Sequence, residues 1–203
     1  SAEVMPSPGA VPIFIDVEET TFNLDPTKLK DTLDTANEMG VKVKGIMSVG
    51  LFGQPADMKP IKDFAIKNDL SSMQIKTAKY LFEDKAPIQF LYPTPKWIEN
   101  FNFNNIDPTI ALSMIRQESQ FSAFAKSGKS AYGLMQILPS TARMVNKEHN
   151  FKSNPRILFD PKINVETGTK YIESLLEIGY IEGDLLKALI SYNAGPGNLS
   201  KWM

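Results

Sequence analysis

The dipeptide Asp-Pro stands three times in this chain, at Asp25-Pro26, Asp107-Pro108 and Asp160-Pro161, and an apolar stripe at helical spacing follows each. Aspartate accepts from the N–H groups that a helix's first turn leaves unpaired, and proline suits the first helical position because it has no N–H to leave orphaned. These pairs therefore predict helix starts. After Asp25-Pro26 come Leu29, Leu33, Ala36 and Met39, with Gly40 as a left-handed stop. After Asp107-Pro108 the stripe is Ile110, Ala111, Met114, Ile115 and Glu118, which predicts a helix to about Ser119. After Asp160-Pro161 a longer helix is predicted to end at Gly179. A further one from about Asp184 to Asn193 is expected to stop at Gly195-Pro196-Gly197.

Residues 1–70 follow a different pattern. Ile13-Phe14-Ile15-Asp16-Val17 and the run Lys44 to Val49 read as β-strands. They alternate with the first helix and with one near Pro60 to Asn68. The expected arrangement is a small βαβα (α/β) segment, too small to bury both faces of a parallel sheet. Residues 71–106 read as a helical and proline-rich connector, with a helix from about Ser72 to Phe82 and then Pro87, Pro93 and Pro95. Residues 107–203 read as a mainly α domain, with a Gly/Ser loop from Ser127 to Gly133 and a short helix after Pro139.

Composition closes several routes. There is no cysteine, which excludes a disulfide framework and a thiolate metal site, and His149 is the only histidine. Residues 1–70 carry 7 Lys+Arg against 11 Asp+Glu, and residues 71–203 carry 15 against 12. The slightly basic second part suits an anionic polymer but is too weakly charged to argue for nucleic acid. No stretch approaches the ~20 apolar residues of a membrane span. The start, Ser1-Ala2-Glu3-Val4, does not read as a signal peptide.

Glu118 continues the apolar face of its helix and sits in the last turn, where the exposed carbonyls disfavour a carboxylate. Desolvation acts in the same direction, toward a raised pKa. A carboxyl that keeps its proton near neutrality is what a general acid for a glycosidic oxygen requires. Periodicity alone favours a frayed helix end turned to solvent, or a pair with Lys126 or Lys129, because carboxylates at helix ends are usually structural.

Four strings, in order, add to this. They are Ile115-Arg116-Gln117-Glu118-Ser119-Gln120-Phe121, Gly133-Leu134-Met135-Gln136-Ile137-Leu138-Pro139-Ser140-Thr141-Ala142, Asp160-Pro161 with Asn164 and Gly168-Thr169 before Tyr171, and Ala188 to Gly197 with Tyr192-Asn193-Ala194-Gly195-Pro196-Gly197. Together they resemble the soluble lytic transglycosylases. The resemblance implies a lysozyme-like (α+β) catalytic domain that cleaves the bond between N-acetylmuramic acid and N-acetylglucosamine in peptidoglycan. It implies Glu118 as sole acid/base and a 1,6-anhydro product made by the sugar's own 6-hydroxyl. Gln136, Tyr192, Gly133, Leu138, Ser127 and Asn193 are carried over as substrate-binding positions: Gly133 would let backbone approach a sugar, Gln136 would donate and accept, and Tyr192 would offer its phenol beside Glu118. Ser119 is expected to hold the helix end. The implied partner is a peptidoglycan glycan strand and the implied compartment the periplasm, with no cofactor and no metal.

Tyr132, before Gly133, departs from the small or basic residue usual in the family, and the family pattern continues with another helical segment beyond the position of Met203. A hydrolytic muramidase of the goose-lysozyme type and a non-catalytic glycan-binding protein remain open beside the lytic reading.

Residues 1–70 carry a second resemblance. Phe22-Asn23-Leu24-Asp25-Pro26 and Leu51-Phe52-Gly53-Gln54-Pro55-Ala56-Asp57-Met58 are similar to an internal stretch of the DegT-type sugar aminotransferases. That similarity ends before the family's Schiff-base lysine, to which Lys59, Lys62 and Lys67 do not correspond. No pyridoxal phosphate binding is therefore expected, and the join of the two pieces reads as a chimera.

Overall fold

A computed structural model of the chain describes residues 12–41, 43, 45–48, 56–82 and 85–203. The contacts divide it into two units, Ser1–Pro95 and Lys96–Met203.

In the first unit, Asp25 accepts from the Thr27 backbone N–H at 2.9 Å and from the Thr27 hydroxyl at 2.7 Å. A 3-10 turn over Pro26–Lys28 leads directly into α1 (Leu29–Glu38). Asp57 caps α2 (Met58–Lys67) through the Lys59 N–H, and α3 (Ser71–Phe82) packs on α2. Leu29, Ala56 and Ile61 form a small core. A further short helix, α4 (Ile88–Leu91), receives Gln74, whose Nε2 donates to the Gln89 carbonyl at 3.2 Å.

The predicted strands are the point of difference. Residues 12–16 form no strand, although the Asp16 carbonyl accepts from the Asp25 N–H at 3.0 Å, and among the described residues of this unit one isolated antiparallel bridge forms, Val17 with Leu24. That bridge closes a tight turn around Phe22, which has φ 56°. Val17 reaches back to the segment preceding α1 and pairs with no neighbouring strand. The second run, Lys44 to Val49, contributes no strand among its described residues, and most of the Leu51–Met58 string lies outside the described residues. An extended segment becomes a strand only when a partner takes up its N–H and C=O groups along its length, and among the described residues the pairing stops at the Val17–Leu24 turn.

The second unit opens with an aromatic cluster. Trp97 meets Phe101 edge-on at 5.7 Å, and Phe101 meets Phe103 at 4.8 Å. The neighbouring asparagines tie this segment to the long helix of the unit. Asn104 Nδ2 donates to the Thr169 hydroxyl at 2.7 Å, and Asn105 donates to Glu173 through its backbone at 3.0 Å and its side chain at 2.6 Å.

Helices α5 (Pro108–Glu118), α6 (Pro139–Val145), α7 (Pro161–Leu176), α8 (Leu185–Ala194) and α9 (Pro196–Trp202) come next. Asp107, Asp160 and Asp184 cap α5, α7 and α8 with their carboxylates, so the predicted starts hold. Replacing Asp160 by alanine leaves the Ile163 N–H without its acceptor. Urea unfolding should show a loss of about 1 kcal/mol with an unchanged slope.

Helix α7 is the central element. Asn164, Val165, Thr167, Gly168, Thr169, Tyr171, Ile172 and Leu175 are all buried along it, and α6 and α8 pack against it. The predicted stop at Gly195-Pro196-Gly197 is instead a junction. Gly195, with φ 88°, ends α8, and Pro196 takes the first position of α9. The same proline chemistry that breaks one helix begins the next. A second difference is at the end of α7, which stops at Leu176, ahead of Gly179.

Between α5 and α6 the chain makes a small antiparallel ribbon, with bridges from Lys126 to Tyr132 and from Tyr132 to Ile137. Tyr132 and Ile137 exchange two backbone hydrogen bonds of 3.0 Å. This ribbon is the β part of the expected α+β domain. Tyr132 is buried with its ring against Phe159 at 5.3 Å, and the Lys126 ammonium lies 5.2 Å from the ring centre. A large residue at this position thus fills space beside Phe159.

Candidate active site

Glu118 is the last residue of α5 and is half-buried. Burial raises its carboxyl above the ordinary glutamate range, with no charged neighbour contributing. Among the described residues no ion pair involves Glu118, so the alternative pairing with Lys126 or Lys129 does not form. Ser119 holds the helix end: its hydroxyl donates to the Ile115 carbonyl at 3.2 Å and its N–H to the same oxygen at 3.1 Å. The chain then turns away sharply through Gln120 and Phe121, with φ 51° and 61°. Two consecutive left-handed residues with side chains are strained. Burial of the Phe121 ring offsets part of that cost.

Tyr192, on α8, comes to Glu118 from a distant part of the chain. Its hydroxyl donates to the Met135 carbonyl at 2.7 Å, and its ring lies against Tyr171 at 5.2 Å. Burial pushes the phenol well above its usual range, and the nearby charges of Glu118 and then Tyr171 push it further. The hydroxyl end is deep while part of the ring stays accessible. Tyr192 is therefore a neutral hydrogen-bond donor already committed to the backbone, within electrostatic reach of a carboxyl whose burial favours the protonated form.

Met135 belongs to the turn of residues 133–136 that joins Tyr132 to Ile137. Gly133 has φ 77° and Gln136 has φ 48°. A side chain at Gly133 would run into the Leu158 carbonyl and the Asn164 amide, so the close approach this glycine permits is to the chain's own α7 region. Gln136 Nε2 donates to the Ala125 carbonyl at 3.1 Å and the Gly133 carbonyl at 2.9 Å. Both partners can only accept, which fixes the amide orientation and leaves its oxygen as the group with acceptor capacity for a ligand.

The other predicted positions are less engaged. The Ser127 hydroxyl accepts from the Ala131 N–H at 3.0 Å and so braces its own loop. Leu138 is exposed at the start of α6, and Asn193 is exposed beside Tyr192 in sequence. The structure thus places Tyr192 within electrostatic reach of Glu118, and bonds it to the turn that carries Gly133 and Gln136. Three contributors escape a residue-by-residue reading of the sequence: the Met135 carbonyl, Tyr171 and Asn164. Asn164 has a signal there, as an amide on the stripe shared by Gly168, Tyr171, Ile172 and Leu175. The carbonyl has none, because every residue carries one.

Among the described residues no group of three or more His, Cys, Asp or Glu gathers as a metal site. In the first unit Lys62 is buried between aromatic rings, 4.6 Å from the Phe90 centre and 5.6 Å from that of Phe82, and pairs with Asp63 at 3.2 Å. Lys59 and Lys67 are exposed.

Residues 1–74 match the sequence profile of the DegT/DnrJ/EryC1/StrS aminotransferase family. The soluble lytic murein transglycosylase of Escherichia coli K12 is 34% identical over 100 residues, which cover 48% of this chain and 15% of that protein. The membrane-bound lytic murein transglycosylase C of Yersinia enterocolitica is 34% identical over 103 residues, covering 46% of this chain and 28% of that protein. The chain therefore spans a minor part of the curated relatives it matches. In fold it is similar to the 70 kDa soluble lytic transglycosylase of Escherichia coli, with a TM-score of 0.60 and 24% identity over 86% of this chain and 27% of that one. That transglycosylase bound to bulgecin A gives a TM-score of 0.61 at 23% identity. Residues 95–203, just over half the chain, match the Transglycosylase SLT domain and include Glu118, the turn of residues 133–136 and Tyr192, and by that match the chain belongs to the SLT transglycosylase family.

Proposed function

We propose that the second unit is a peptidoglycan lytic transglycosylase, with Glu118 as sole acid and base. The observation that carries this reading is a single half-buried carboxyl, raised by burial alone and faced by a neutral phenol. Two-carboxylate glycosidases divide the acid and nucleophile roles; here one carboxyl performs two proton transfers in turn. Protonated Glu118 gives its proton to the glycosidic oxygen as the bond to C1 of the muramyl sugar breaks. The substrate's N-acetyl oxygen stabilises the cationic carbon. The Glu118 carboxylate then removes the proton of the 6-hydroxyl as that oxygen bonds to C1, so the 1,6-anhydro ring closes and Glu118 is protonated again. Tyr192 and the turn at Met135 wall the carboxyl from water. The Gln136 oxygen, exposed Leu138 and Asn193, with the loops at Ser127 and Gly133, are the surfaces offered to the glycan.

The relatives' names support murein as the substrate, and the periplasm is where such a polymer is met. Among the described residues no helix is long and apolar enough to cross a membrane. Product analysis tests the reaction. Mass spectrometry of fragments released from sacculi should find muramyl ends lighter by one water than hydrolytic ends. Reducing ends would assign a hydrolytic muramidase, and binding without any release would assign a glycan-binding role.

A further inference from the structure

Three hydrogen bonds converge on the side chain of Asn164, which is fully buried in α7. Its Oδ1 accepts from the Met135 N–H at 2.8 Å, and its Nδ2 donates to the carbonyls of Tyr132 and Leu158, each at 2.8 Å. Two carbonyl partners fix which end of the amide is nitrogen. One side chain thereby grips the turn at its entry, Tyr132, and inside it, at Met135. One helical turn further along α7, Gly168 leaves room for the Met135 side chain, whose sulfur would collide with any Cβ there.

Met135 is thus fastened at both of its polar groups. Its N–H is held by Asn164 from α7, and its carbonyl receives the Tyr192 hydroxyl from α8. A buried phenol whose acceptor is displaced is left unsatisfied, and it moves or admits water. Resting on the reading of Glu118 as the acid, we infer that Asn164 is a positioning residue for the reaction: through the Met135 backbone it holds the Tyr192 phenol against Glu118 and keeps water from that carboxyl. The titratable side chain within electrostatic reach of Glu118 is Tyr192 of α8, itself packed on Tyr171 of α7. Burial raises both phenols, so neither ionises while a carboxyl titrates, and the Glu118 midpoint reports its hydration.

The test uses the whole chain with carboxyl-carbon-labelled glutamate. NMR follows the Glu118 signal, assigned by its absence in Glu118→Gln, alongside turnover on sacculi and thermal unfolding. In Asn164→Ala the Glu118 midpoint should move down toward the exposed glutamates, and turnover by the folded protein should fall about 10- to 100-fold. If that variant does not fold, Asn164→Asp keeps the shape and an acceptor for Met135, but its carboxyl can satisfy at most one of the two carbonyls. An intermediate shift and loss are then expected. In a Tyr192→Phe background the Asn164 effect on turnover should largely disappear. A lower melting temperature with an unchanged Glu118 midpoint, or losses that simply add, would overturn the inference. Full turnover by Glu118→Gln would instead remove the acid assignment, while the NMR shift would still read whether Asn164 orders this corner.

Discussion

Glu118→Gln is expected to reduce fragment release from sacculi by about 10³-fold, the scale of a lost general acid/base, while pelleting with sacculi is kept. The amide has nearly the shape of the acid and can donate a hydrogen bond, but it cannot transfer a proton. Binding that depends on the groove's shape therefore survives and chemistry does not. Equal turnover in wild type and variant would discard the mechanism, and joint loss of binding and turnover would point to a collapsed groove.

The same substitution carries a prediction for stability. Burial raises the Glu118 carboxyl in the folded protein. Between the ordinary glutamate value and that raised value, the folded chain holds a proton that the unfolded chain has released. Stability from this group is then greatest in acid and falls as pH rises through the window, above which the buried carboxylate is a standing cost. Glutamine carries no such cost. Thermal melts should place Glu118→Gln above wild type at neutral pH, with the gap closing below the ordinary glutamate value. Wild-type turnover should fall on the alkaline side as Glu118 loses its proton, and a profile flat through that range would contradict an acid role.

Gly133→Ala should be the most damaging single methyl group in the second unit, with a loss of about 3 kcal/mol or more. The new carbon would meet the Leu158 carbonyl, a backbone atom with no rotamer to change, and the Asn164 amide that holds the turn. The φ of 77° adds strain for any residue with a Cβ. Overpacking alone costs ~1–3 kcal/mol and the left-handed backbone ~1–2 kcal/mol, before the hydrogen bonds of Asn164 are counted. Gly128 is the internal comparison, since a Cβ there meets nothing within 4 Å. Gly128→Ala should change stability by no more than ~0.5 kcal/mol. Urea unfolding of the two variants decides it, and similar midpoints would show that the turn can shift away from Leu158 at little cost.

Legibility tracks range along the chain. The starts of α5, α7 and the 3-10 turn that leads into α1 are readable because a cap and its N–H lie two or three residues apart, as Asp107 and Thr109 do. Glu118 is readable for the same reason: its place on a buried stripe is local, and that burial sets the direction of its pKa. The strands predicted at 13–17 and 44–49 do not form among the described residues, because β-propensity describes a surface awaiting a partner, and pairing is a property of some other segment. Pro196 reads as a stop because a proline marks only the end of the preceding helix, whereas α9 forms because residues 196–202 fold onto α8. Tertiary contact alone assigned the acceptor of the Tyr192 hydroxyl, turned Gly133 toward Leu158 and Asn164, and made Asn164 a three-way tie. Those three arrangements use backbone carbonyls, groups identical at every position, so residue identity carries no mark of which one will be reached across 57 or 32 positions of chain.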